Sequence, residues 1–207
     1  MTPRRIVQLF AGCVVLGSGV SLLLTPQLGS DGFSSLVSGL AEAAGWSFML
    51  ANAVVSAGFL AMAWLRGVRP GIGTVVQVLV VGATVTALLP LLERADPSGP
   101  VARTLMLLAA FPVLAVGIAL YLDSHLGAGP MEAAAQAWDP PLPFAWSYSA
   151  LQLLSAVVGW QLGAAIGPGT IAVIVLLGPA VALAGRLLGL QLDPVRTESP
   201  REPADRG

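Results

Sequence analysis

Between Pro140 and Gly185 the chain runs for 46 residues without a charged side chain. At about 1.5 Å per helical residue this is more than twice the ~30 Å that crosses a bilayer core, so the run has to turn back on itself. Gly167-Pro168-Gly169 supplies the bend, and two membrane spans result. The same reading extends to the rest of the chain. With 56% hydrophobic and 10% charged residues among 207 and a mean hydropathy of +0.82, there are too few charges to cover a water-soluble surface, where about a quarter of residues are charged. The lipid bilayer is the expected partner. All ten basic residues are arginines scattered along the chain and the net charge is −1, so no basic tract invites nucleic acid.

The remaining spans follow from breaks in the apolar pattern. Arg4 and Arg5 anchor a first span, Ile6 to Leu24, which Pro26 and Gly29 end. A signal peptide would begin the same way, but the apolar run continues past Cys13 without a small-x-small cleavage site, so the helix is expected to be retained. Asp31 can cap a short helix over residues 32–44, whose apolar positions Phe33, Leu36, Val37 and Leu40 recur at helical spacing. Its thirteen residues reach only about 20 Å, so it lies in the interface or dips part of the way in. Trp46 to Leu65 and Gly71 to Leu92 make the second and third spans. A polar stretch at 93–100 links the halves, and the fourth span is Thr104 to Leu122. A second short helix covers 131–138, and the charged, Pro-rich tail 193–207 reads as disordered and cytoplasmic.

The two halves repeat. At an offset of 98, Leu16, Gly19, Leu22, Leu24, Leu28 and Gly29 meet Leu114, Gly117, Leu120, Leu122, Leu126 and Gly127, and at an offset of 96 Gly73-Thr74 meets Gly169-Thr170. Repeat 1 covers 5–92 and repeat 2 covers 103–190 within one membrane domain, 1–207. Three crossings per unit place the second unit upside down. The expected fold is an all-α integral membrane protein of six transmembrane helices, arranged as two inverted three-helix repeats, each with a short amphipathic or half-membrane helix after its first span. Both termini inside puts eight arginines in the cytoplasm and leaves Arg94 and Arg103 outside. The turn residues Gly29, Gly73, Gly127, Gly129, Pro130 and Gly169 hold this plan together.

The stretch GIALYLDSHLGAGPME (117–132), followed at a distance by a GPGT turn and a terminal apolar helix, resembles the YczE/YyaS/YitT group of bacterial multi-pass membrane proteins. The likeness spans roughly residues 5–190, with Leu126-Gly127-Ala128-Gly129-Pro130 and Glu132 as its most specific part. It implies a bacterial plasma-membrane protein and names no substrate. The first copy lacks both that proline and that acid.

Polar candidates are sparse. Asp123, His125 and Glu132 surround the second turn, where they could bind a cation or relay protons, or serve only as solvated caps at the membrane surface. Gln152 falls about 12 Å into the fifth span, where an unsatisfied amide is costly, so it needs a ligand or an interhelical partner. Gln77 reads the same way. Ser155, Gly159, Gly163 and Gly167, and likewise Ala53, Ala57 and Ala61, form small-residue packing faces. The single Cys13 excludes an internal disulfide, and one cysteine with one histidine makes no metal site. No cofactor is expected, and no nucleophile stands beside a base, so an enzyme is disfavoured. Two classes remain: a small-solute permease or exporter, and a non-transporting scaffold or accessory subunit. The depth of the short helices discriminates between them.

Overall fold

The computed structural model describes residues 3–95, 99–138 and 141–190; the tail expected at 193–207 lies outside them. Eight helices make up the described part: α1 (Pro3–Leu24), α2 (Gly32–Ala44), α3 (Phe48–Leu65), α4 (Ile72–Arg94), α5 (Pro100–Asp123), α6 (Pro130–Gln136), α7 (Phe144–Gln161) and α8 (Pro168–Leu188). Five of them, α1, α3, α4, α5 and α8, are long and apolar enough to cross a membrane. The sixth expected span, α7, has the same 18 residues as α3. Its Ser147, Tyr148, Ser149, Gln152 and Ser155 make it more polar than the other five.

Local chemistry explains the helix ends. Asp31 has extended backbone and its Oδ2 accepts from the Ser34 amide at 3.0 Å, satisfying one of the free N–H groups that start α2. Ser47 caps α3 in the same way, accepting from the Leu50 amide at 3.3 Å, which is why α3 begins two residues after Trp46. α5 starts earlier than expected because Pro100 sits in its first turn, where a missing N–H costs nothing. The C-terminus of α6 is held from α3: Arg66 Nε donates to the Ala137 carbonyl at 3.1 Å while its guanidinium stacks 4.5 Å over Trp138. A cation there also meets the negative end of the helix dipole.

α1 and α5 make the most extensive helix pair and run antiparallel. α4 packs on the outer side of α1 and α8 on that of α5, while α3, α7 and the two short helices lie over this row of four. The main core joins Leu16, Val20 and Leu23 of α1, Val37 of α2, Val55 of α3 and Leu114 of α5.

The two turns dock in matching ways. The Leu28 carbonyl accepts from the Gly169 amide at 2.8 Å, and the Leu126 carbonyl accepts from the Gly73 amide at 2.8 Å, so the turn of each half sits on the start of the last helix of the other. Gly29 (φ +100°) and Gly127 (φ +148°) occupy backbone that side chains rarely adopt. The two non-glycine residues with positive φ among the described residues, Gln27 and His125, are again 98 apart. One difference breaks the match: α2 has 13 residues and α6 only seven. The small-residue face of α7 is covered by α2, with an added Cβ at Gly159 lying 2.5 Å from the Ser35 backbone. α3 and α7, which begin at Phe48 and Phe144, match at an offset of 96, so the counterpart of Gly159 is Ala63, buried against Ala133 of α6 and Ala137 at its end, while Ala57 and Ala61 are exposed.

Candidate functional site

α2 lies along α7 in the same direction. Gly32 touches the backbone and amide of Gln152, Gly39 touches the Gly159 carbonyl, and Glu42 lies beside Gly163. Both glycines in α2 are there for closeness, since a side chain would collide with the α7 backbone. The N-terminus of α2 therefore stops at Gln152, halfway along α7, about 14 Å from the end of that helix at ~1.5 Å per residue. Because its C-terminus sits level with the end of α7, α2 enters the protein rather than lying across its surface.

α6 packs against the same two helices, α3 and α7. The start of α6 meets α4, where Gly129 approaches both the Glu132 carboxyl and the Gln77 side-chain oxygen, while its end is held by Arg66. The starts of the two short helices thus point toward one another. Asp31 and Glu132 are close enough to feel each other's charge, Tyr148 is within electrostatic reach of both, and Tyr121 of Glu132. Burial, opposed by hydrogen bonding to the Ser34 amide, raises the Asp31 carboxyl above its ordinary range. Burial first, and then the Asp31 charge, raises Glu132 likewise.

Three oxygens in this group have nothing to bond. Gln152 Nε2 donates to the Tyr148 hydroxyl at 3.0 Å, but Gln152 Oε1, Gln77 Oε1 and the Tyr121 hydroxyl are buried without a hydrogen-bond partner among the described residues. A buried polar group left unpaired costs about 1–3 kcal/mol, and Gln152 Oε1 stands at the start of α2 and Gln77 Oε1 at the start of α6, so both helix starts carry an unfilled demand.

The candidates from sequence are redistributed. Glu132, Gln77 and Gln152 come together at the helix starts. Asp123 instead accepts from Gln8 Nε2 of α1 at 2.6 Å, and His125 is exposed on its turn, in the same backbone geometry as Gln27. Gly73, Gly129, Gly169 and Pro130 begin helices, and Gly29 and Gly127 form the docking turns. Asp31, Tyr121 and Tyr148 were missed as site residues. A signal for Asp31 does exist: it aligns with Gly129, and Ser34 aligns with Glu132, so each copy carries one acid, at the cap position in the first and three residues later in the second. A position-by-position comparison hides this, because the carboxyl has moved within the first turn. Among the described residues no group of three metal-ligating side chains occurs.

A model for a family of unknown function, DUF6198, matches residues 3–186. An uncharacterized protein of Haemophilus influenzae is 29% identical over 180 residues, covering 81% of this chain and 77% of that one. No solved structure matches.

Proposed function

We propose, from the premise that this chain belongs to the DUF6198 family, that it is a transporter-like membrane protein, a permease or exporter of a small solute. One observation carries the reading: two short helices enter from different ends of the fold and bring their starts, with Asp31, Glu132, Gln77 and Gln152, to a common polar centre. Transporters built on inverted repeats place solute sites where interrupted helices meet in this manner. The reciprocal hydrogen bonds Leu28–Gly169 and Leu126–Gly73 support an inverted pair of three-span units, with α7 as the sixth crossing. The turn's likeness to the YczE/YyaS/YitT group adds a bacterial plasma membrane, and the eight-to-two arginine distribution adds cytoplasmic termini.

The test is Gln152→Leu, which keeps the side-chain size and removes the amide. In cells or proteoliposomes supplied with a panel of cationic, anionic and neutral solutes, the native protein should move at least one solute, and Gln152→Leu should abolish that flux with expression and insertion unchanged. A flat response from the native protein would instead favour the alternative, a non-transporting scaffold or accessory subunit. Loss of yield and detergent stability in the variant would make Gln152 an interhelical tie.

A further inference from the structure

Among the described residues the acid pair has no cationic side chain to neutralise it. Each described arginine, at positions 4, 5, 66, 69, 94, 103 and 186, is exposed. Two carboxylates at one interior place repel each other and are costly to ionise, so they must either hold protons or share a cation brought from outside. The surroundings favour the second partner. Tyr121 is 2% exposed, its hydroxyl unpaired and beside Glu132, and the unpaired atoms of Gln77 and Gln152 are also oxygens. The approach has the same character. A cleft of about 440 Å³ runs between the ends of α1, α4 and α7 along α2, and Glu42 and Glu93 are the charged residues that line it. Its lining includes Gly29 and Ser30, which directly precede Asp31.

We infer that the oxygens gathered between Asp31 and Glu132 form a site for a small organic cation bearing an ammonium or guanidinium group, reached through the Glu42–Glu93 cleft. The inference names the solute class of the transporter reading and rests on it. The unpaired Tyr121 hydroxyl offers such a head group a further acceptor. Charge balance supplies the coupling: a monovalent cation entering the protonated pair leaves the net charge unchanged when one carboxyl gives up its proton to water. The titratable groups facing the pair are Tyr121 of α5, Tyr148 of α7 and, behind Tyr121, Cys13 of α1. α4 contributes the uncharged Gln77, and the Arg66 side chain of α3 stands at the far end of α6.

The experiment is calorimetric titration of the purified full-length protein in detergent with ethylammonium, guanidinium and sodium chlorides at pH 8 and pH 6. At least one organic cation should bind saturably at pH 8, about tenfold or more weakly at pH 6 where protons compete, with proton release in weakly buffered solution. Asp31→Asn, which retains a capping side chain, and Glu132→Gln should each lose that binding while eluting like the native protein. If neither variant folds, the pH comparison and proton release on the native protein decide. Binding of sodium alone, no binding at pH 8, or unchanged affinity in folded variants overturns the inference. Flux of a neutral or anionic solute without cation binding would overturn it and keep the transporter; cation binding without flux would do the reverse.

Discussion

Gly19 and Gly117 are the sharpest test of how the two halves are joined. An added Cβ at Gly117 would stand 2.5 Å from the Leu16 amide nitrogen, and one at Gly19 would stand 2.9 Å from the Leu114 amide nitrogen and 2.8 Å from its side chain. Leu16 and Leu114, like Gly19 and Gly117, are 98 residues apart, so the α1–α5 crossing uses each contact twice. Ordinary contact begins near 3.4 Å, and an alanine at position 117 therefore has to push the backbones apart by about 0.9 Å. A gap of that size forfeits roughly a quarter to a half of the dispersion energy of the atoms that lose contact. Overpacking of this kind costs about 1–3 kcal/mol per substitution. Because one separation relieves both collisions, Gly19→Ala with Gly117→Ala should cost clearly less than the two single changes added together. The control is Gly58→Ala on α3, where an added Cβ meets nothing within 4 Å and better helix propensity makes the change neutral or stabilising. Thermal unfolding in detergent, followed by size-exclusion recovery after heating, reads all four variants. Strict additivity of the pair, or a loss at Gly58→Ala equal to that at Gly117→Ala, would refute the shared-crossing argument.

The acid pair also predicts a pH dependence of stability. The folded pKa values of Asp31 and Glu132 lie above their ordinary 3.8 and 4.5, so the folded state binds protons more tightly, and the stability this provides is complete below those ordinary values and lost as pH rises through the raised ones. Melting temperatures of the ligand-free protein measured from about pH 4 to pH 9 should therefore fall with rising pH, and Asp31→Asn or Glu132→Gln should flatten the curve; an unchanged slope in both variants would count against a coupled pair. For the topology, reporter fusions after Gly99 and after Gly207 should lie on opposite sides of the membrane. Finding both on one side would remove the six-span arrangement.

What the sequence made legible was whatever depends on neighbours along the chain. The cap at Asp31, the extent of the short helix over residues 32–44 and the bend at Gly167 are decided within a few residues, and the structure has each of them. Asn52 is 2% exposed and ties α3 to α4 through the Val78 carbonyl at 2.8 Å; its residue type announces a need for a partner, but not which one. The composition of the polar centre was hidden for a different reason. Asp123, His125 and Glu132 are close in sequence, yet the turn at Gly127 separates them, and the true companion of Glu132 is Asp31, about a hundred positions away in the other half. The outward-facing Ala57 and Ala61 misled because the two-residue loss falls before α7: at an offset of 96 the counterpart of Gly159 is Ala63, which α6 does bury.

The exchanged turns bear on how such a chain is made. The Leu28 carbonyl leaves the ribosome about 140 residues ahead of the Gly169 amide that receives it, an interval on the order of ten seconds at ordinary synthesis rates. For most of that interval α2 has no α7 to lie along and Asp31 has no Gln152 to meet. A chain that stops before α7 therefore leaves bare the face of α2 that Gly32 and Gly39 press against Gln152 and Gly159.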